Sequence, residues 1–236
     1  MTAAVKRHQR AETTGNMATT QTSFFSNICS IIVHVCVIFL SASLIYVARP
    51  GSCNIFLTAL FSWHPTFMTL AFILCMTEAI SLFSSTKFPI NVPTYPNKVA
   101  GHQKMQLAAG LLTLLGTSTI VFNKYRSNSN HLVSYHSWYG LATLILTILQ
   151  TLYGLKMVNE MPVIKYNSKS FHLIFGLTTY FSGMTTIYLA FYSNWAVYVI
   201  DLRLVMMLKY SLIALFIVVV VNVFVRSSKK YRSSYS

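Results

Sequence analysis

Six apolar runs, each about long enough to cross the hydrocarbon core of a bilayer, constrain what this 236-residue chain can fold into. They are approximately Phe24–Val47, Asn54–Ser84, Ala100–Phe122, Val133–Lys156, Phe171–Tyr192 and Arg203–Val225. A helix needs roughly 20 residues to cross a core of ~30 Å, and only a helix keeps the backbone polar groups of an isolated run paired in lipid. The composition agrees, with 54% hydrophobic residues, 9% charged residues and a mean hydropathy of +0.55, outside the range of an ordinary soluble domain. The expected fold class is an all-α integral membrane protein with six transmembrane helices. In the second run, His64-Pro65 marks the expected start of regular helix, since proline suits a first turn.

A net charge of +14 raises nucleic acid as a partner, yet the basic residues sit in short segments between apolar runs, where membrane topology is the ordinary cause. Nucleic-acid binding is therefore not expected. Lys6, Arg7 and Arg10, then Lys87, Lys98 and Lys104, then Lys156, Lys165 and Lys169, and finally Arg226, Lys229, Lys230 and Arg232 place 13 cations on one side. Arg49, Lys124, Arg126 and Arg203 place four on the other. The positive-inside bias puts both termini in the cytosol. Residues 1–23 are read as a disordered cytosolic tail, 24–225 as one six-helix domain, and 226–236 as a basic cytosolic tail, disordered from Lys229. The leading polar stretch is too long for a cleaved signal peptide, so the first run is read as a retained span. Cys29, Cys36 and Cys75 lie within apolar runs and Cys53 in a loop, a pattern that does not form a disulfide framework.

Four histidines, His64, His102, His136 and His172, each open one of the middle four runs. His64 to His102 is 38 residues and His136 to His172 is 36, so a two-helix unit with one histidine per helix occurs twice in the same order. Alternating span direction then pairs the histidines by depth: His64 with His136 toward the non-cytosolic face, and His102 with His172 toward the cytosolic face. Intramembrane ligating residues are costly and usually functional, and imidazole is a common axial ligand of haem iron. Each pair is expected to hold one haem from two sides, giving two haems in a four-helix core spanning about residues 54–192, with spans one and six flanking it. At 1.5 Å per residue the two irons would lie roughly 20 Å apart. Gly140 follows His136 by four residues, Gly176 follows His172 by four, and Gly110 follows His102 by eight, which places residues without side chains on the histidine faces. These glycines have two readings: room for a flat macrocycle, or close helix–helix packing.

From Pro50 to Val225 the chain resembles the cytochrome b561 family, six-helix membrane proteins with two b-type haems. Ser134-Tyr135-His136-Ser137-Trp138 is similar to the Ser-Leu-His-Ser-Trp motif at that family's non-cytosolic haem and substrate site. His64-Pro65, Gly101-His102 and Phe171-His172-Leu-Ile-Phe-Gly176 match the surroundings of the other ligands. The resemblance implies that cytosolic ascorbate reduces the haem held by His102 and His172. The haem held by His64 and His136 would deliver the electron to monodehydroascorbate or ferric iron. It also implies an oxidoreductase with membrane lipid around it, a homodimer left open, and an endomembrane location (endoplasmic reticulum or vesicle) ahead of the plasma membrane. The Tyr-Arg pair of well-studied members is replaced by Ala79-Ile80-Ser81-Leu82-Phe83-Ser84, and the loop from Thr86 to Asn97 carries three prolines. In this the chain looks more like the stand-alone cytochrome b561 domain-containing, transmembrane reductase branch.

Because ascorbate is an anion, Lys98, Lys104 and Lys169 beside His102 and His172 are the candidate donor-site residues, although lysines there also satisfy the topology rule. Ser137 and Trp138 are candidate substrate contacts at the exit site, with Trp138 equally readable as an interfacial anchor. Glu78 lies 14 residues after His64 and is expected on a similar face, where it would tune the inner haem or reach the interface. His34 is expected to be packed or hydrogen-bonded, and His131 and His8 are not expected to ligate metal. The competing function class is a haem-free channel, transporter or membrane scaffold that uses the histidines for protons or helix contacts.

Overall fold

The computed structural model describes residues 27–49, 59–84, 94–159 and 166–233. The expectations for the N-terminal tail, Cys53, Lys87 and Lys165 lie outside these residues. The described residues are helical, with no strand among them. α1 is Asn27–Ala48. α2 comprises three consecutive pieces, the α-helical Ala59–Met68, the π-helical Thr69–Met76 and the α-helical Thr77–Ser84. α3 is Tyr95–Arg126, α4 Tyr135–Asn159, α5 Tyr166–Ala190, α6 the short Asn194–Val199 and α7 Leu202–Ser233. Six of the helices are long and apolar enough to cross a membrane, so the chain is a multi-pass membrane protein.

Helix starts follow from local chemistry. Thr94 caps α3 by accepting from the Asn97 N–H at 3.4 Å, and Pro96 occupies the first turn, where its missing N–H costs nothing. Ser134 and Ser137 cap α4 reciprocally: the Ser137 N–H donates to Ser134 Oγ at 3.2 Å and the Ser134 N–H to Ser137 Oγ at 3.1 Å. Ser193 caps α6, and the Asp201 carboxylate accepts from the Arg203 N–H at 2.9 Å where α7 begins. Two boundaries depart from expectation. Helix is already in progress at Ala59, so Pro65 lies inside α2, where it supplies no N–H to the Phe61 carbonyl one turn back. α7 continues as helix through the basic tail to Ser233, beyond the expected end at Val225.

α2 packs most extensively on α3, and α4 on α5, so the two sequence repeats are two antiparallel hairpins. α3 also meets α4, and α2 meets α5, which closes a four-helix ring. The densest apolar core lies to one side of that ring. Val33, Val37 and Leu40 of α1, Phe72, Ile73 and Met76 of α2, Tyr180 and Met184 of α5, and Leu208, Leu212 and Leu215 of α7 form one buried cluster. α1 and α7 thus share a core with α2 and α5 on that side. Phe72 packs directly on Gly183 of α5, at a spot a side chain would occupy.

Candidate functional site

α2, α3, α4 and α5 each contribute one histidine near the N-terminal end, and the ring places those histidines on its diagonals. His64 of α2 meets His136 of α4 with ring centres 6.2 Å apart and planes at 85°. His102 of α3 meets His172 of α5 at 6.1 Å and 76°. Both expected pairs therefore form. They lie toward opposite ends of the bundle, because each hairpin is antiparallel.

The second ring nitrogen of each histidine is held from the neighbouring helix of its own hairpin. His64 Nδ1 lies 2.8 Å from the Gly116 carbonyl of α3, and His102 Nδ1 lies 3.0 Å from the Ala79 carbonyl of α2. His136 Nδ1 lies 2.9 Å from the Thr186 carbonyl of α5. A carbonyl only accepts, so these three rings carry their proton on Nδ1 and leave Nε2 free as a lone-pair donor. His172 Nδ1 instead lies 3.0 Å from the side-chain amide of Gln150 on α4.

The acceptors repeat as regularly as the histidines. Gly116 is 14 residues after His102, and Thr186 is 14 after His172. At 1.5 Å per residue this separates the two pairs by about 21 Å along the helix axes. On the first helix of each hairpin, Ala79 is 15 residues after His64, whereas Gln150 is 14 after His136. The additional residue matches the π segment of α2, since a π turn accommodates one extra residue without breaking the helix.

This arrangement fits a group that brings its own equatorial ligands. Among the described residues no cluster of three or more His, Cys, Asp or Glu side chains could hold a bare ion. With metal–imidazole bonds of about 2.0 Å and the ring centre about 1.1 Å behind the ligating nitrogen, two imidazoles on opposite sides of one ion have centres about 6.2 Å apart. The observed 6.2 Å and 6.1 Å agree with that spacing. Donation of the remaining ring N–H to a carbonyl is the usual device for orienting a metal-ligating histidine.

The family model described as "Eukaryotic cytochrome b561" matches residues 63–197, which span all four histidines. The chain belongs to the cytochrome b561 family. It is 38% identical over 168 residues to the probable transmembrane reductase CYB561D1 of Mus musculus, an alignment covering 70% of this chain and 71% of the relative. To transmembrane reductase CYB561D2 of Homo sapiens it is 33% identical, over 63% of this chain and 65% of the relative. The lysosomal membrane ascorbate-dependent ferrireductase CYB561A3 of Bos taurus is 32% identical over 95 residues, 40% of this chain and 35% of that protein. These matches support the stand-alone branch and make this cytochrome b561 a transmembrane reductase. Cytochrome b561 proteins bind haem b.

The other candidate residues are placed as follows. Lys98 is half-buried while Lys104 and Lys169 are exposed, and all three lie within about one turn of His102 or His172 in sequence. Ser137 is engaged in capping α4, its hydroxyl donating to the Ser134 carbonyl at 2.7 Å. Trp138 is exposed at the same helix end, and His131 is exposed in the preceding loop. Glu78 does not face a candidate ligand: its carboxylate lies 2.7 Å from His34 Nδ1 on α1. The one-residue insertion of the π segment sets everything after it back by about 100°, which turns Glu78 away from the His64 face.

Each of these glycines faces a side chain of a neighbouring helix. A Cβ on Gly140 would touch the Thr186 methyl at 3.7 Å, and one on Gly110 would touch Thr151 Oγ1 at 3.5 Å. One on Gly176 would lie 2.8 Å from the Gln150 amide. Gln150 and the π segment are the two features that sequence reasoning missed.

Proposed function

We propose that this cytochrome b561 moves single electrons across the membrane with two haems b. His64 and His136 would hold one haem at the non-cytosolic side, and His102 and His172 the other at the cytosolic side. The donor is cytosolic ascorbate and the acceptor is monodehydroascorbate or ferric iron on the opposite side, with both chain termini cytosolic. The observation that carries this reading is the pairing of histidines on the ring diagonals at two depths, with ring centres 6.2 Å and 6.1 Å apart, so that each pair could hold one iron between its two side chains. When bound, the haems supply the one-electron chemistry; the protein supplies ligation, spacing and the surrounding charge.

The chain's residues divide the remaining work. The N–H groups of three histidines are fixed by carbonyls, which locks the rings in the ligating tautomer. Helix length sets the two sites about 21 Å apart. Lys98, Lys104 and Lys169 place positive charge where an anionic donor would approach the cytosolic pair, and Ser137 contributes by holding the first turn of α4, and hence His136, in place. The ascorbate-dependent ferrireductase relative supports the choice of substrates.

A reduced-minus-oxidised absorption spectrum with haem quantitation on purified protein tests the reading. Two low-spin b haems per polypeptide are expected, and a fully folded protein without haem would overturn it. Vesicles of oriented protein enclosing a ferric chelate test direction: external ascorbate on the cytosolic face should reduce the chelate.

A further inference from the structure

Of the four paired histidines, His172 alone among the described residues has its Nδ1 held by a side chain. The amide of Gln150 lies 3.0 Å from His172 Nδ1 and 2.9 Å from the His172 carbonyl, while Gln150 Oε1 is buried without a partner. With the amide nitrogen facing Nδ1, the ring accepts there and its proton must sit on Nε2. That is the wrong tautomer for a ligand. A half-turn of the carboxamide, whose two ends have nearly the same shape, lets Oε1 accept from Nδ1–H. This gives the oxygen a donor and His172 the tautomer of the other three, and it moves the amide NH2 to the place the oxygen held. The turned oxygen cannot stay 2.9 Å from the His172 carbonyl, because both are acceptors, so the amide also shifts off that carbonyl, which keeps its own helical partner one turn on.

We infer that Gln150 is a positioning residue for His172, the side-chain counterpart of the Ala79 carbonyl that holds His102, and that Gly176 exists to admit its amide. The inference rests on the haem reading above. Two independent observations carry it. Gln150 falls in the α4 position that corresponds to Ala79 in α2 once the extra π residue is discounted. Gly176, one turn beyond His172, is where any Cβ would lie 2.8 Å from the Gln150 amide nitrogen, so a side chain there would push the amide off the ring. A side chain can be exchanged by one substitution, whereas a backbone carbonyl cannot. The His102–His172 site therefore carries an adjustable control that the His64–His136 site lacks: a stronger acceptor on Nδ1 makes the imidazole more basic and favours ferric iron.

The test is a spectroscopic redox titration, with low-temperature electron paramagnetic resonance, of full-length parent, Gln150→Leu, Gln150→Glu and Gly176→Ala in nanodiscs, together with haem content per chain. Gln150→Leu should shift one haem's redox equilibrium about tenfold toward the reduced form, equivalent to about 59 mV for one electron, and Gln150→Glu should shift the same haem the opposite way. Gly176→Ala should follow Gln150→Leu and add nothing in the double variant. The second haem should stay unmoved. If Gln150→Leu fails to fold, the sign of the Gln150→Glu shift and the non-additivity of Gly176→Ala with it decide the matter. Two haems per chain with unmoved potentials, or with both potentials moving equally, would overturn the role of Gln150 alone. A parent without haem would overturn the haem reading as well.

Discussion

The two hairpins, α2–α3 and α4–α5, solve one problem in two ways. Each must hold the imidazole of its second helix from its first helix, at the level where His102 and His172 pair. In the first hairpin the partner is the Ala79 backbone carbonyl, reached with a one-residue π insertion; in the second it is a side-chain amide, that of Gln150, on an α4 that is α-helical throughout. The reverse contacts, His64 to Gly116 and His136 to Thr186, use backbone carbonyls in both hairpins. Repetition has kept the geometry while letting the chemistry diverge at one position. A deformed helix and an inserted amide are interchangeable as supports, but only the amide can be tuned by substitution.

The comparison breaks most severely if the pairs do not cross between hairpins. Alanine at His64 or His136 should remove one of two haems, and alanine at His102 or His172 the other, so that four variants fall into two spectral classes. A His64→Ala spectrum matching that of His102→Ala would refute the diagonal pairing. Next in size is deletion of Leu74 from the π segment. Returning α2 to plain α-helix rotates Ala79 by about 100° relative to His64 and takes its carbonyl from His102. The expected result is loss of the His102–His172 haem with the other retained, read by haem content and difference spectra. The second hairpin, with no such insertion, offers no equivalent lesion.

A smaller effect concerns the donor side. Changing Lys98, Lys104 and Lys169 together to Gln should slow reduction by ascorbate roughly tenfold at low ionic strength, with the difference shrinking as salt rises, because exposed charges act through a screened field. Reoxidation by a ferric chelate on the far side should be unchanged. Equal reduction rates in variant and parent across a salt series would exclude these lysines.

What was legible in the sequence follows from the strength of each physical constraint. Lipid forces apolar runs of fixed length, so the six spans could be read directly, and alternating direction then paired His64 with His136 and His102 with His172. The π segment was not legible, because no residue type encodes an i→i+5 turn and Thr69–Met76 reads as ordinary apolar helix. That omission alone misplaced Glu78. Gln150 did leave a signal, a neutral polar residue inside an apolar run at the same offset from His136 that Gly116 has from His102. Gly176, which spacing left with two readings, could be given its neighbour only once the packing of α4 on α5 was known.

The smallest effect tests the phase of α2 itself. His34 and Glu78 pair across α1 and α2 with about a fifth of each side chain exposed. The corresponding position in α4 is Leu149, an apolar residue that is half exposed. If the π insertion points Glu78 at α1, the pair is a tie between helices and not a support for a ligand. Polar interhelical contacts of this kind contribute about 0.6 kcal/mol on average in membrane proteins, with about 1.7 kcal/mol as an upper figure. A double-mutant cycle of His34→Phe and Glu78→Gln, read by thermal unfolding in detergent, should therefore give a coupling of about 1 kcal/mol. Haem content and both midpoint potentials should match the parent in every corner of the cycle, because neither side chain touches the four paired histidines. A selective shift of the His102–His172 haem in Glu78→Gln would mean that the carboxylate acts on that site through the adjoining Ala79 carbonyl, and the contrast between a rigid first hairpin and a tunable second one would fail.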